Sequence, residues 1–368
     1  MVKQVRSIYK IDKSILIVSI LLVIFGLIMV YSASNVVALY KYNDSFYFFK
    51  RQLIFALIGI ALMFLVINVN IEKILKFTTP LFIISIILLV AVLIPGIGLV
   101  RGGARSWIGI GSFSIQPAEV VKVTLILFLS KLIAKIDDKL NKFKFFSLVL
   151  GIVIGVFGII MLQPDFGTGL VIVLSSILVI FASGASIIYF LIIFGVGVFG
   201  LIVLIASAPY RLERIFAFLD PWSDPLGSGF QAIQSLFSIA PSGIFGLGFN
   251  NSMQKHFFLP EPQNDFIFAI ICEELGLIGG LILIGAFIYI IVRILILSTR
   301  VSNNNYKLIL IGVSTSIFVQ VFINLGVVIG LLPVTGITLP IISYGGSSLI
   351  FTLVMLGLCI NISRYREE

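Results

Sequence analysis

The sequence predicts an all-α polytopic integral membrane protein, and three observations carry that prediction. Apolar residues make up 60% of the 368-residue chain and charged residues only 11%. The apolar residues fall into runs of about twenty, the length an α-helix needs to cross the hydrocarbon of a bilayer. Within those runs hydrophobicity is continuous rather than alternating, which fits helices that satisfy their own backbone groups and not the strands of a barrel. A formal net charge of +9 does not point to nucleic acid. The Lys and Arg residues sit in short connections between apolar runs, where they set orientation.

Read in order, the runs place ten helices near residues 14–34, 49–68, 78–95, 117–136, 145–162, 167–183, 187–208, 266–297, 307–330 and 344–363, in one membrane domain spanning 1–368. The first follows Lys3, Arg6, Lys10 and Lys13 and ends near Ser32, Ala33 and Ser34, an outline that a cleaved signal peptide shares. Its run from Ile15 to Val30 exceeds a usual signal core, so it reads as an uncleaved first helix. Lys73 and Lys76 separate the second from the third. The fourth starts at Gln116-Pro117, because proline at a first helical position loses no hydrogen bond. The fifth and sixth form nearly one stretch, interrupted at Gln163 to Thr168, and Ser183 to Ser186 alone join the sixth to the seventh. The eighth is longer than a bilayer requires and is expected to tilt or protrude outward.

Ten spans put both termini on one side. Most cations, among them Lys131, Lys135, Lys139, Lys142, Lys144, Arg293, Arg300, Arg364 and Arg366, then fall on that side, so both termini are expected in the cytoplasm. No internal repeat is evident, which weakens an inverted-repeat transporter architecture. Cys272 and Cys359 each lie in an apolar helix at no spacing that suggests a metal or disulfide.

The outer side carries the long connections: 99–116, 331–343 and, between the seventh and eighth helices, a large loop over 209–265. Loops that long are usually functional or disordered. Aromatics at Phe216, Phe218, Trp222, Phe230, Phe237, Phe257 and Phe258 argue for packing or re-entry at the membrane interface. Breaks at Pro333, Gly336, Pro340, Gly345 and Gly346 suggest re-entrant backbone lining a cavity.

Ionisable groups near hydrocarbon are functional candidates by default. Glu119 and Lys122, three residues apart, share a helix face and read either as a neutralising ion pair or as a pair whose lysine meets an anionic ligand. Asp165 fits an N-cap of the sixth helix. Asp265 reads equally as a cap of the eighth helix or as a reactive carboxylate held by the proline-stiffened approach through Pro260 and Pro262. Glu273 and Glu274, two turns deeper, suit structural or partner-binding roles. Arg101, Arg105 and Trp107 put two guanidinium groups beside an aromatic at the outer interface, able to contact lipid headgroups or clamp a phosphate. His256 is the one histidine, so no histidine-based triad exists, and it reads as a loop residue.

Five stretches resemble the bacterial SEDS proteins (shape, elongation, division and sporulation), the family of FtsW, RodA and SpoVE. They are GARSWIGIGSFSIQPAEVVK at 103–122, QPDFGT at 163–168, DPWSDPLGSGFQ at 220–231, FLPEPQNDFIFAIICEELGLIG at 258–279 and GLLPVTGITLPIISYGGSS at 330–348. The DPW run and the approach GLGFNNSMQKHFFLPEP look more like the FtsW and SpoVE branch than RodA. Gln263 and Asn264 depart from the usual neighbours of the aspartate, and Ile341-Ile342 from a common Phe-Ile pair.

The resemblance implies a peptidoglycan glycosyltransferase of the cell inner membrane that polymerises lipid II beside a class B penicillin-binding protein and other divisome or elongasome membrane proteins. It also implies that Asp265 is the essential loop aspartate, Trp107 the important tryptophan, and Glu119, Lys122 and Asp165 the buried charged residues. One carboxylate suffices as base because pyrophosphate is already a good leaving group, so Asp265 is expected to activate the acceptor hydroxyl. Arg101, Arg105 and Lys122 are expected to stabilise the departing charge, with Lys122 and Arg105 foremost. No cofactor is evident; a divalent ion stays an open alternative, since no acidic cluster has metal-site spacing. The rival reading is a lipid II flippase or other transporter.

Overall fold

The computed structural model describes residues 11–101, 103–110, 113–207 and 209–367. The ten apolar runs all become helical: α1 (Lys13–Tyr42), α2 (Tyr47–Asn68), α4 (Thr78–Ala91), α5 (Pro117–Ile136), α6 (Phe143–Met161), α7 (Phe166–Ala182), α8 (Ile187–Ala206), α11 (Ile267–Thr299), α12 (Asn304–Val328) and α13 (Gly346–Ile362). A short α3 (Ile71–Lys76) joins α2 to α4, and α9 (Pro209–Leu219) and α10 (Phe230–Ile239) lie within the 209–265 segment. By length and composition α1, α2, α6, α11, α12 and α13 can each cross a membrane, whereas α4, α7 and the Ile187–Gly200 part of α8 are apolar but shorter. The protein is polytopic.

Exposed large hydrophobic side chains cover the outside of this bundle, for example Leu191, Phe194 and Phe199 on α8. In a membrane that pattern is the solvated surface, because lipid tails are as apolar as leucine. One buried cluster gathers residues from α1, α2, α11, α12 and α13, and a second gathers α4, α5, α6 and α7. α12 packs against α5, α7, α11 and α13 and so joins the two halves. Close approach of α2 to α13 depends on Gly357, where an added Cβ would stand 2.9 Å from the Met63 carbonyl oxygen.

Three features differ from the sequence expectation. The 99–116 connection, expected as loop, contains a three-stranded antiparallel sheet of β1 (Gly98–Arg101), β2 (Ala104–Ile110) and β3 (Phe113–Ile115). Residues 105–110, Arg-Ser-Trp-Ile-Gly-Ile, show no clean polar–apolar alternation; the β-favouring Trp107, Ile108 and Ile110 are the only local strand cue inside an otherwise all-α chain. Gly103, with φ +82°, supplies the left-handed turn between β1 and β2. Second, α1 runs to Tyr42, two turns past the expected end, and α4 stops at Ala91. Third, α11 is broken rather than merely long, since Gly276 adopts φ 68° and ψ −168° inside it.

That break is a docking point. The amides of Leu247 and Gly248 donate to the carbonyls of Glu273 and Glu274, at 2.9 and 3.0 Å, and those of Leu277 and Ile278 donate to Gly243 and Ile244, at 3.1 and 3.2 Å. The loop thereby takes up hydrogen bonds that the interrupted helix gives up, and non-helical backbone survives at this depth because protein surrounds it.

Candidate active site

The site is organised around the irregular stretch 329–345 between α12 and α13. Its tip reaches the middle of α1, where a Cβ on Gly26 would stand 2.8 Å from the Ile341 carbonyl oxygen. Backbone polar groups placed so deep must find partners in protein. Gln52 on α2 donates to the Ser343 carbonyl at 3.0 Å and accepts from the Gly345 amide at 3.2 Å. Gln320 on α12 donates to the Thr338 carbonyl at 3.0 Å, and Asn324, one turn on, donates to the Ile337 carbonyl at 2.7 Å. The Arg214 guanidinium on α9 donates to the Val334 carbonyl at 3.1 Å. Ile341 has φ +70°, a strained conformation for a β-branched residue that persists only where its surroundings over-determine it.

Asp265 lies beside this stretch. The Tyr344 amide donates to the Gln263 carbonyl at 2.8 Å, and the Asn324 side chain donates to the Asp265 carbonyl at 2.7 Å. The cap reading of Asp265 fails, because Phe266 occupies the N-cap of α11 and no side chain caps it. Asp265 is partly exposed, yet enough protein surrounds it that burial pushes its carboxyl up to about 6. Its own amide and Arg214 oppose that rise, while Glu261 adds like-charge repulsion. Asn264 fixes Glu261 through a 2.6 Å bond from its side-chain amide. A cavity of about 400 Å³ opens between α9, α10 and the end of α12, lined by Glu213, Arg214, Gln231, Pro260, Pro333 and Val334 among others; Asp265 does not line it, and Arg214, which acts electrostatically on Asp265, connects the two. A base near neutrality in the field of a cation that itself lines a cavity suits proton abstraction.

Lys122 is 2% exposed and lies 2.6 Å from Glu119 and 3.0 Å from the Gln320 side-chain oxygen. This is the neutralising ion pair, almost wholly enclosed by protein. Of the two readings of Lys122, the structure shows the ion-pair contacts: burial of the ammonium is tolerated because Glu119 and Gln320 both satisfy it. Asp165 caps α7, accepting from the Thr168 amide at 3.2 Å, and also accepts from Gln116 at 2.6 Å. Gln116 in turn accepts no role from its side chain alone, since its backbone amide donates to Ser347 at the start of α13, 3.0 Å away. One residue thus ties α5, α7 and α13 together.

The sheet carries the remaining candidates. The Arg101 guanidinium carbon stands 5.2 Å from the centroid of Trp107, a cation–π distance. Arg105 sits opposite Val100 in the same hairpin. Arg101 and Arg51 both lie within electrostatic reach of Tyr344, so the sheet and the Asp265 segment border the same stretch. Glu273 and Glu274 are saturated structurally. Glu273 accepts from the Ser252 hydroxyl at 2.5 Å and the Met253 amide at 2.8 Å; Glu274 accepts from Ser32 at 2.7 Å and pairs with the buried Lys255 at 3.3 Å.

Sequence reading missed Arg214, Glu261, Gln52, Gln116, Gln320 and Asn324. Gln320 and Asn324 carried a signal: amides four residues apart put two donors on one face of an apolar helix. The others are unremarkable in sequence and gain meaning only from what they touch.

Comparison with known proteins agrees with the motifs. The chain is 49% identical over 355 residues to stage V sporulation protein E of Bacillus subtilis, covering 96% of this chain and 97% of that one. It is 38% identical to the probable peptidoglycan glycosyltransferase FtsW of Geobacter sp. (strain M18), covering 96% of each. Among solved structures, a chain of a peptidoglycan synthase complex that coordinates polymerization and crosslinking superposes with a TM-score of 0.79 at 32% identity, over 97% of this chain and 99% of that one. The rod shape determining protein RodA of Thermus thermophilus superposes at 0.72 and 27% identity, over 97% and 98%. Residues 12–368 match the family model of the FtsW, RodA and SpoVE cell cycle proteins, and the chain belongs to that family.

Proposed function

We propose that the protein is a peptidoglycan glycosyltransferase that polymerises lipid II, with the Asp265 carboxylate as general base. The observation that carries this reading is the setting of Asp265: backbone anchored to α12, carboxyl raised to about 6, and Arg214, which lines the neighbouring cavity, within its electrostatic reach. The relatives named as probable peptidoglycan glycosyltransferases support it.

The carboxylate removes the proton from the 4-hydroxyl of the acceptor GlcNAc as that oxygen attacks the anomeric carbon of the donor. The bond to the lipid pyrophosphate breaks on the opposite face, so the α-linked donor yields a β-1,4 link with inversion. The leaving pyrophosphate carries its own charge away, and a cation must offset what develops on it. Arg101 and Arg105 are the outer-face candidates for that task. Lys122, held by Glu119, acts at one remove by fixing α5 against α12. Trp107 orients Arg101, and Asp165 and Glu119 hold the helix ends rather than touch sugar. A divalent ion would supply further charge stabilisation to the leaving group, and no residue is assigned to hold it.

The ten helices are proposed to span the cell inner membrane with both termini cytoplasmic and the 209–265 segment, the sheet and Asp265 on the extracytoplasmic face. The proposed partner is a class B penicillin-binding protein, consistent with the synthase complex to which a similar chain belongs. The test is a gel of products from lipid II incubated with purified wild type or Asp265→Asn, each with that partner. Polymer from wild type alone supports the reading. Undiminished polymer from Asp265→Asn overturns the base role.

A further inference from the structure

We infer that Asn324 is a positioning residue for the reaction at Asp265: one side-chain amide holds the aspartate segment and the re-entrant stretch in fixed register on α12. The inference rests on the glycosyltransferase reading above. Asn324 is 1% exposed, and its amide nitrogen donates to two carbonyls, those of Asp265 and Ile337, each at 2.7 Å. Both protons of the amide are therefore used. The orientation of the side chain is fixed by chemistry, because a flipped amide would set its oxygen against two carbonyl oxygens.

The consequence of that orientation is that the Asn324 side-chain oxygen is buried with no hydrogen-bond partner. Leaving a buried acceptor unpaired is unfavourable. The neutral side chains that supply two donors from one nitrogen, Asn and Gln, carry that oxygen too, so the fold accepts an unpaired acceptor in return for a donor that reaches two carbonyls from separate segments. Gln320, one turn earlier, repeats the device: its amide nitrogen donates to the next carbonyl, that of Thr338, at 3.0 Å, and to Ser348 at 3.3 Å, while its oxygen accepts from Lys122. The two amides make a two-rung clamp on consecutive carbonyls, 337 and 338.

Through the clamp, the aspartate segment, the re-entrant stretch, α13 and the Glu119–Lys122 pair are all referenced to one helix that packs on both halves of the bundle. Asp265 is held across helices through its backbone carbonyl, while its carboxylate takes a hydrogen bond from its own amide and lies in the field of Arg214. Displacing a catalytic group by about 1 Å costs on the order of 10²-fold in rate. Loss of the clamp should therefore lower kcat and spare substrate binding.

The test compares wild type, Asp265→Asn, Asn324→Ala and Asn324→Asp, each purified with the partner protein, by initial rates across lipid II concentrations and by direct binding of labelled lipid II. Asn324→Asp matches the shape of asparagine and lacks its donors. Both Asn324 variants are expected to elute as monodisperse protein, bind lipid II within about threefold of wild type and lose on the order of 10²-fold in kcat. A raised KM with unchanged kcat would overturn the inference and make Asn324 a substrate contact. Wild-type kcat in either variant would overturn it outright, and aggregation of both would assign the amide to folding instead. If wild type itself makes no polymer, the glycosyltransferase reading fails, and the clamp is read separately by hydrogen exchange of residues 263–266, which must be faster in Asn324→Ala for it to stand.

Discussion

Replacing Asp265 with asparagine should abolish polymer and at the same time make the protein harder to unfold. Burial is the main reason its carboxyl rises from the ordinary 3.8 to about 6, with Glu261 adding to the effect and Arg214 opposing it. A raised folded value means that the charged carboxylate is less stable in the folded protein than in the unfolded chain. Below about pH 4 the group is protonated in both states and contributes nothing. As pH rises from there, the unfolded chain ionises first and stability falls, until the penalty is complete above about pH 6. At 1.36 kcal/mol per pH unit the gap amounts to about 3 kcal/mol, an upper figure because solvent still reaches the group. Asparagine carries no such penalty. Thermal unfolding in nanodiscs, followed by tryptophan fluorescence, should show Asp265→Asn melting a few degrees above wild type at pH 7.5 and level with it at pH 4. A variant that melts at or below wild type at pH 7.5, or whose advantage persists at pH 4, would refute the claim that Asp265 is held in an environment hostile to its charge.

Three further outcomes follow from the same geometry. Polymerisation should fall as pH drops through about 6, and Arg214→Ala, which removes the cation that opposes the rise in Asp265, should move that acidic limb to higher pH; an unmoved limb in a pH–rate profile would detach Arg214 from Asp265. Lys122→Ala leaves Glu119 charged and buried, so it should destabilise by about 3–5 kcal/mol, whereas the double change Glu119→Gln with Lys122→Met should recover most of that loss in a double-mutant cycle of melting temperatures. Gly26→Ala places a methyl 2.8 Å from the Ile341 carbonyl oxygen, and the backbone shift it forces should cost about 1–3 kcal/mol and depress kcat more than lipid II binding.

The membrane architecture was legible because a bilayer restricts what can cross it to a small menu, and apolar runs of the right length declare themselves. Helix ends were less so: α1 continues to Tyr42, where Asn43 turns left-handed and its amide bonds the Leu39 carbonyl, and the exposed Tyr40 meets Phe257 at 5.3 Å, a tertiary contact with no local signature. The sheet at 98–115 had only β-favouring residues around Trp107 as a cue, without clean alternation, and was masked by the dominant helical pattern. Asp265 stood out because a carboxylate at a helix entrance has few explanations, and the cap explanation fell once Phe266 proved to be the cap. Lys122 had two readings in the sequence, an ion pair with Glu119 or a ligand contact. Its charge drew attention, but what decides its role is the distance to Glu119 and Gln320, and sequence holds no distances between helices. Arg214 was invisible for the same reason, since nothing near it in sequence announces that α9 folds back over residue 334.

Treating every charge at membrane depth as functional conflates two uses of burial, and this fold separates them. Glu119, Lys122, Glu273, Glu274 and Lys255 are buried with their charged ends bonded to named partners. Such groups set shape: Glu273 and Glu274 fasten the 243–255 segment to the break in α11, and Glu119 with Lys122 sets α5 against α12. Asp265 is fastened the other way round, through its carbonyl, by a neutral amide on a neighbouring helix. A side chain whose ionised end is saturated cannot take a proton from substrate without dismantling its own support. A carboxylate anchored by its backbone can change protonation state while its position stays fixed, which is what a base that cycles with every sugar added must do. The distinction also says where to look in the broken helices of other membrane enzymes: for an uncharged Asn or Gln bonded to the carbonyl of an acidic residue, more than for the acidic residue itself.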